Sequence, residues 1–195
     1  MPRKRQSTKS RIVKAAWNLF FKKGYDNTTV EDIIVASKTS RGSFYHYFKG
    51  KESLLNSMSD LFDDKYRELA AEMDPSLSCY DKLLLLNHEL FYMIEHDVNR
   101  ELLALLYSSQ LVTKGQMSLS DKNRFYFEWV TQILEEALEK KEFAASSSAE
   151  ELMHLYAMYE RALLYDWALA KGSYSLYQYS DKLLPHLLDT FITGV

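Results

Sequence analysis

Three residue types that shape β-rich and disulfide-rich proteins are scarce in this sequence of 195 residues. It has one cysteine, three prolines and six glycines. With so few turn-forming residues, an all-β sandwich or barrel is not expected. The single cysteine, Cys79, excludes an intramolecular disulfide framework and a multi-cysteine zinc site, and it is typical of a reducing compartment such as the cytoplasm.

The sequence also lacks a long apolar run. A bilayer-spanning helix needs roughly 18 or more apolar residues, whereas residues 83–86 are too few and residues 162–170 are interrupted by Asp166. The basic start Arg3-Lys4-Arg5 is followed by polar residues, so no secretory signal is expected. A composition of 47% hydrophobic and 26% charged residues suits a globular chain. We therefore expect a cytoplasmic protein with no membrane partner.

Charge is divided unevenly along the chain. Residues 1–51 hold 12 lysines and arginines against 3 acidic residues, a net charge of +9. Subtracting these from the totals of 24 and 27 leaves 12 basic and 24 acidic residues in 52–195, a net charge of -12. A basic segment favours a polyanion such as nucleic acid, and an acidic remainder would repel it. A solvated charged surface is an equally good explanation of the charge alone.

Apolar residues at helical spacing, together with capping residues, predict an all-α chain of about nine helices without strands. The first spans Ile12 to Phe20 and ends at Gly24, and the second is a two-turn helix opened by the Thr-x-x-Glu pattern of residues 28–31. The remaining seven are expected near residues 41–48, 52–73, 79–97, 99–111, 120–142, 149–171 and 176–192.

The basic segment has the organisation of a helix-turn-helix. Three short helices lie within 51 residues, and Ser37-Lys38-Thr39-Ser40 forms a tight connection between the second and the third. In such motifs the later helix enters the major groove of DNA. The third helix, Arg41 to Phe48, carries hydrogen-bonding side chains on one side and aromatic rings on the other.

The segment from Gly24 to Leu55 resembles the DNA-binding domain of the tetracycline-repressor (TetR) family. The similarity is carried by Gly24-Tyr25, by Thr28-Thr29-Val30-Glu31-Asp32-Ile33 and by the run from Ser40 to Leu55, which are part of an ungapped match of about 45 residues. Its most specific part is the Tyr-x-x-Phe-x-x-Lys-x-x-Leu pattern from Tyr45 to Leu54.

The resemblance implies a homodimeric transcriptional regulator, most often a repressor, that binds double-stranded DNA at a pseudopalindromic operator. A small apolar or amphipathic effector would release it. The DNA-binding domain would be residues 1–51, and residues 52–195 would bind the effector and dimerise. Arg41 and Ser43 would approach base edges, and His46 could reach bases or phosphates. The full set implied to contact DNA is Thr29, Ser40, Arg41, Gly42, Ser43, Tyr45, His46, Tyr47 and Lys51.

Other interpretations of these residues stay open. Phe44 and Phe48 are expected to be core residues that seat the third helix. Tyr45 could pack and Lys51 could be solvated, although we favour contacts with DNA phosphates. The turn departs from the family pattern, because Lys38 and Thr39 stand where a glycine and an apolar residue are usual. Lys38 must then accept a positive φ or reshape the turn.

Polar residues within apolar helical runs are candidates for effector contacts, because a buried polar group needs a partner. These candidates, with three aromatic neighbours, are Asn87, His88, Tyr92, Trp129, His154, Tyr156 and Tyr159. For any single residue, ordinary core packing is the more frequent explanation. No close histidine spacing supports a metal site, no cofactor is expected, and no nucleophile or phosphate-binding motif favours an enzyme.

The last two predicted helices carry apolar stripes that would form a four-helix dimer interface in the family. The residues assigned to it are Leu163, Trp167, Leu184, Leu187, Leu188 and Phe191. Burial within one chain is the alternative. A dimer would place two recognition helices about 34 Å apart on one face of DNA. The competing function is an architectural DNA-binding protein without an effector.

Overall fold

A computed structural model describes residues 7–98, 100–112, 118–144 and 146–193. Within these ranges the chain is all-helical and no strand occurs, so the predicted fold class is confirmed. The α-helices are α1 (Thr8–Lys23), α2 (Val30–Ser37), α3 (Arg41–Tyr47), α4 (Glu52–Leu55), α5 (Ser57–Glu72), α6 (Cys79–Asp97), α7 (Arg100–Val112), α8 (Phe125–Glu139), α9 (Ala149–Leu169) and α10 (Leu176–Thr193).

The helix expected over residues 52–73 is divided into α4 and α5 at Asn56. The hydroxyl of Ser57 donates to the carbonyl of Leu54, and that of Ser59 donates to the carbonyl of Asn56. Such local bonds compete with the regular helical pattern. The expected count of about nine helices is met when α4 and α5 are taken together. Residues 118–120, expected near a helix start, form a short 3-10 helix before α8.

The chain forms two compact units. The first comprises Met1–Ser59 and Leu105–Leu119, and the second comprises Asp60–Ala104 and Ser120–Val195. Their boundaries fall inside α5 and α7, so each of these helices contributes residues to both units. The functional division predicted at Lys51 stays a prediction.

The core of the first unit is built by α1, α2 and α3, which pack against one another. Ile12, Ala16 and Phe20 on α1 are buried with Ile33 on α2 and Phe44 on α3. Phe48 is also buried, and its ring centroid lies 5.9 Å from that of Phe44. The prediction that both phenylalanines seat the third helix is confirmed.

The N-terminal cap of α2 lies one residue later than the sequence pattern indicates. Thr29, not Thr28, is the N-cap, and its hydroxyl accepts a hydrogen bond from the backbone N–H of Asp32. The Asp32 carboxylate accepts from the backbone N–H of Thr29 in return, which completes a capping box. Thr28 is buried and donates its hydroxyl hydrogen to the carbonyl of Gly24. Thr28 therefore ties the loop to the end of α1.

The turn between α2 and α3 contains a lysine in the left-handed region. Lys38 has φ 52° and ψ 45°, and its N–H donates to the carbonyl of Val35. This conformation is disfavoured for a residue with a Cβ atom, because Cβ approaches the following carbonyl oxygen. Of the two outcomes expected for Lys38, the structure shows the positive φ, and the turn keeps a normal helix C-terminal shape.

The second unit is organised around α6, which packs against α8 and α10, while α9 packs against α8 and α10. Leu83, Leu86, Leu90 and Phe91 line the buried side of α6. Tyr92 and His96, one turn apart on another face of α6, are exposed. Among the described residues, no helix is long and apolar enough to cross a membrane.

Most of the residues assigned to a dimer interface are buried within one chain. Leu163, Trp167, Leu184, Leu188 and Phe191 are each less than 10% exposed, and Leu187 is half-buried. The apolar stripes of α9 and α10 face the core of the unit within one chain, which is the alternative that the sequence left open. Helical periodicity identifies a buried face but not what covers it, so the dimer interface stays a prediction.

We predict that Lys38→Gly stabilises the first unit by about 0.5 to 1 kcal/mol, since glycine adopts positive φ without a Cβ clash. Urea denaturation monitored by circular dichroism measures the change. Lys38→Ala is the matched control, because it removes the same charge but keeps Cβ. Equal stability of the two variants would show that the turn is not strained.

Candidate functional sites

The short helix α3 presents a polar N-terminus to solvent. Ser40 is its N-cap, and the Ser40 hydroxyl accepts a hydrogen bond from the backbone N–H of Ser43. The two serine hydroxyl oxygens lie 2.9 Å apart. Arg41 and Gly42, the first two residues of the helix, are exposed. The free N–H groups and positive dipole of a helix N-terminus favour an anion there.

The aromatic residues of α3 divide between core and surface. Phe44 is fully buried, whereas Tyr45 and Tyr47 are 47% and 43% exposed. His46 is exposed beside Tyr47, with ring centroids 4.8 Å apart. The solvent side of α3 therefore displays two phenol hydroxyls and an imidazole, all of which can bond to phosphate or base atoms.

Arg41 is flanked by a carboxylate and an aromatic ring. Its Nη1 atom lies 3.4 Å from Oε1 of Glu31 on α2, and its guanidinium carbon lies 5.9 Å from the centroid of the Tyr45 ring. Both charged side chains are exposed. The guanidinium has further N–H donors that these contacts leave available.

Thr29 is exposed, but its hydroxyl is already engaged. The hydroxyl hydrogen is donated to Oδ2 of Asp32 at 2.9 Å. The backbone N–H of Thr29, the Thr29 hydroxyl and the Lys23 ammonium all favour the charged carboxylate, and they lower the pKa of Asp32 to about 2. A phosphate at this helix start would meet a carboxylate that is ionised throughout the neutral range.

Lys51 forms an internal contact that the sequence did not reveal. Its ammonium donates hydrogen bonds to the backbone carbonyls of Tyr25 at 3.0 Å, Thr28 at 3.2 Å and Asp26 at 3.4 Å. The Nζ atom also lies 4.4 Å from the centroid of the Tyr25 ring. Lys51 thus closes the loop between α1 and α2, and its phosphate contact stays a prediction.

In the second unit, two of the predicted effector residues belong to one buried polar cluster around Glu160. The carboxylate of Glu160 accepts hydrogen bonds from Nδ2 of Asn87 at 3.0 Å and from the hydroxyl of Tyr126 at 2.6 Å. Asn87 Oδ1 accepts from the hydroxyl of Ser180. Tyr156 donates its hydroxyl hydrogen to the carbonyl of Leu83. We call Asn87, Tyr126, Tyr156, Glu160 and Ser180 the Glu160 cluster.

Burial governs the protonation of this cluster. Desolvation raises the pKa of the Glu160 carboxyl, while the hydrogen bonds from Tyr126 and Asn87 act in the opposite direction. Desolvation, reinforced by the charge of Glu160, also raises the pKa of Tyr126 and Tyr156 well above the usual value. The tyrosines therefore remain hydrogen-bond donors at any physiological pH.

Of the other predicted effector residues, Tyr159 joins the Glu160 cluster through Ser180, whereas His88, Tyr92, Trp129 and His154 have different surroundings. Tyr159 is half-buried and donates to the carbonyl of Ser180. His88 lies 3.0 Å from the carboxylate of Asp181, and Tyr92 is exposed. Trp129 is half-buried against Phe125, and its ring centroid also lies 6.4 Å from that of Tyr66. His154 is exposed at the edge of a groove.

Sequence reasoning missed four residues of this region. Glu160 and Tyr126 hold the cluster together, and Asp63 pairs with Arg124 at 2.7 Å with both side chains buried. Glu160 lies one helical turn after Tyr156 on the apolar face of α9, and a carboxylate on such a face was the available signal. The pairing of Asp63 with Arg124 had no sequence signal.

Two features of the second unit leave room for a ligand. An open groove of about 410 Å³ between α8 and α9 is lined by residues including Phe127, Met153 and His154. Tyr66 on α5 is buried, its hydroxyl meets no hydrogen-bond partner among the residues that the structure describes, and its ring lies 5.0 Å from that of Tyr126. Among the described residues, no group of three histidine, cysteine or carboxylate side chains is placed to hold a metal ion.

Helix α3 is exposed, is capped by Ser40 and follows a tight turn after α2. This arrangement defines the first unit as a helix-turn-helix domain. The sequence profile of the family described as "Bacterial regulatory proteins, tetR family" matches residues 12–58. The HTH-type transcriptional regulator YuxN of Bacillus subtilis is 46% identical over 54 residues, which are 28% of this chain and 19% of YuxN. The regulator YvdT of the same organism is 22% identical over 143 residues, 73% of each chain.

The fold also resembles that of a solved regulator. Thermus thermophilus FadR, a TetR-family transcriptional repressor in complex with lauroyl-CoA, superimposes with a TM-score of 0.74 at 23% identity, covering 97% of this chain and 96% of FadR. These relatives are transcriptional regulators and not enzymes. Residues 12–58 of this chain are therefore similar to the DNA-binding domain of the TetR family.

We predict that Lys51→Met destabilises the first unit by about 1 to 2 kcal/mol, because three carbonyls lose a charged donor. Urea denaturation measures the loss. Lys49→Met, at an exposed lysine two residues earlier, should leave the stability unchanged. A weaker DNA affinity of Lys51→Met without any loss of stability would instead assign Lys51 to direct phosphate contact.

The raised pKa of Glu160 predicts a pH dependence of stability. The folded state holds the carboxyl proton above pH 4.5, where the unfolded state releases it, so stability falls as pH rises through the folded pKa. Each unit of pKa elevation costs about 1.4 kcal/mol at neutral pH. Glu160→Gln should therefore unfold with a flatter dependence on pH in thermal denaturation from pH 5 to 8.

Glu150→Gln, at an exposed carboxyl on the same helix, is the control and should follow the wild-type profile. A Glu160→Gln profile parallel to the wild-type one would show that the buried carboxyl does not hold its proton.

Proposed function

We propose that this chain is a homodimeric transcriptional repressor that binds a pseudopalindromic operator and leaves it when a small apolar or amphipathic effector occupies the second unit. The observation that carries the proposal is the solvent side of α3, where Arg41, Gly42, Tyr45 and His46 are exposed in a segment of net charge +9. Phosphate contacts would position this helix and Arg41 would contact bases.

Gly42 supports an external contact at α3. A glycine within an exposed helix costs about 1 kcal/mol relative to alanine. The fold does not require it, because an added Cβ would meet no atom closer than the Ser40 hydroxyl oxygen at 4.0 Å, and Gly42 has no positive φ. A close approach of the DNA backbone would explain why no side chain is present.

The homodimer is proposed to use the outer face of α9 rather than the buried residues of its inner face. Met158, Tyr165 and Leu169 are 48%, 54% and 67% exposed and lie four and seven residues apart, on one side of the helix. Ala162 lies between them and is also exposed. An apolar stripe of this kind is suited to a two-fold interface with the same stripe of a second copy.

The effector is proposed to enter the groove between α8 and α9 and to reach Tyr66 and the Glu160 cluster. Phe127 and Met153 supply apolar contacts, and the Tyr66 hydroxyl, which has no partner within the described part of the chain, offers a hydrogen bond to a polar atom of the ligand. Asp63 and Tyr66 lie on α5, which contacts Arg124 and Tyr126 at the start of α8. Displacement of α8 would therefore be transmitted to α5.

The route from α5 to DNA follows the chain. Helix α5 begins with Ser57–Ser59 in the first unit and continues through Asp60–Glu72 in the second. A shift of α5 in both copies would change the separation of the two α3 helices. An effector acts in this way only if it binds the released state more tightly than the DNA-bound state.

We predict that Leu169→Glu weakens the homodimer at least about tenfold, because the two-fold axis places two carboxylates in an apolar interface. Sedimentation velocity over a concentration series measures the dissociation. Leu61→Glu, the same change at a leucine 44% exposed on α5, should leave the dimer intact. A Leu169→Glu protein that remains dimeric would contradict this interface.

We predict that Arg41→Ala lowers the ratio of operator to random-DNA affinity by about tenfold or more, since a bidentate contact to guanine contributes roughly 1 to 3 kcal/mol. Fluorescence anisotropy with both DNAs measures the ratio. Arg41→Lys retains the charge but not the bidentate geometry, so it should lose specificity while keeping the salt dependence. Equal loss on both DNAs in Arg41→Ala would contradict base contact.

Thermal denaturation with a compound panel tests the effector. The panel includes long-chain acyl-CoA thioesters, because T. thermophilus FadR was solved with one of them. A compound that raises the unfolding temperature should weaken operator binding about 5- to 150-fold. A compound that binds tightly without changing operator affinity would contradict the coupling. A panel without any stabilising compound would favour the alternative, an architectural DNA-binding protein without an effector.

A further inference from the structure

A carboxylate lies inside the proposed DNA-contacting surface, next to the arginine assigned to base contact. Glu31 belongs to the first turn of α2, two residues after Thr29, and its Oε1 atom is 3.4 Å from Nη1 of Arg41. The two side chains are 61% and 68% exposed. An ion pair this exposed adds little to the stability of the fold. Stability therefore does not explain why Glu31 lies beside Arg41.

The negative charge of Glu31 opposes the binding of DNA of any sequence. Phosphate oxygens near the start of α2 would be repelled by a carboxylate that is two residues from the proposed phosphate contact at Thr29. This repulsion acts on every DNA sequence alike, because all of them present the same phosphates. Glu31 therefore lowers the affinity for random DNA.

Guanine and phosphate differ in charge, so the Glu31 carboxylate affects their contacts with Arg41 differently. The O6 and N7 acceptors of guanine are neutral, and Arg41 has five N–H donors, so it can bond to guanine while it keeps its contact with Glu31. A phosphate oxygen competing for Arg41 would come close to a like charge. The Tyr45 ring beside the guanidinium further limits the directions in which Arg41 can turn.

We infer that Glu31 is a specificity-determining residue, which positions the guanidinium of Arg41 for a guanine edge and penalises its capture by phosphate. The inference rests on the proposed function. It assigns to Glu31 a lower affinity for random DNA and a larger difference between operator and random DNA.

A double-mutant cycle tests the inference. The probes are a duplex selected from random-sequence oligonucleotides by repeated binding to the wild-type protein, and an unselected duplex of equal length. Glu31→Gln should raise the affinity for the unselected duplex about two- to fivefold and lower the ratio of selected to unselected affinity about tenfold. In an Arg41→Ala background, Glu31→Gln should change both affinities equally and leave the ratio unaltered.

Asp26→Asn is the matched control, because it removes one negative charge from an exposed position in the same unit, in the loop before α2. It should not change the ratio of selected to unselected affinity.

An unchanged unfolding temperature of Glu31→Gln separates these effects from loss of structure. A wild-type protein from which no preferred duplex can be selected would refute the proposed function, and the inference with it. A preferred duplex whose affinity ratio is the same for wild type and Glu31→Gln would overturn the inference alone.

Discussion

The seating of α3 by Phe44 and Phe48 is the constraint on which the proposed activity depends. A helix of seven residues is far too short to be stable on its own, so its direction is set by what its apolar side contacts. Both phenylalanines are buried against the core of the first unit. This packing turns Arg41, Tyr45 and His46 to solvent. The same two rings thus stabilise the helix and determine which side chains DNA would meet.

The surface formed by α2 and α3 carries acidic side chains as well as basic ones. The segment is strongly basic, yet Asp32 is held ionised at the start of α2 and Glu31 lies beside Arg41. Lys51, which the family pattern associates with phosphate, bonds to three carbonyls of the loop before α2. Part of the positive charge of the domain is therefore used to build the surface rather than to attract DNA. In the second unit, the Glu160 cluster and the buried pair of Asp63 and Arg124 join α5, α6, α8, α9 and α10 by polar contacts.

Local patterns in the sequence predicted the fold and the position of the helix-turn-helix. The end of α1 at Gly24, the cap of α3 at Ser40 and the cap of α6 at Ser78 depend on residues within one helical turn. The burial of Phe44 and the positive φ of Lys38 followed from the same local rules. The start of α2 was placed one residue early because two threonines compete for the cap, and only the tertiary contact of Thr28 with Gly24 decides between them.

The remaining features depend on partners that are distant in sequence. The inner and outer faces of α9 both carry apolar residues, so periodicity could not separate core from interface, and Leu163 and Trp167 are buried within one chain. Glu160 meets Asn87 from 73 residues away, and Lys51 meets Tyr25 from 26 residues away.

The central claim, specific recognition of DNA by a dimer, is tested most directly by footprinting the purified protein on the DNA that flanks its own gene, at a stated salt concentration. The account predicts a protected inverted repeat with half-sites about one helical turn apart. Weak, salt-sensitive binding along the whole fragment without any protected repeat would contradict it.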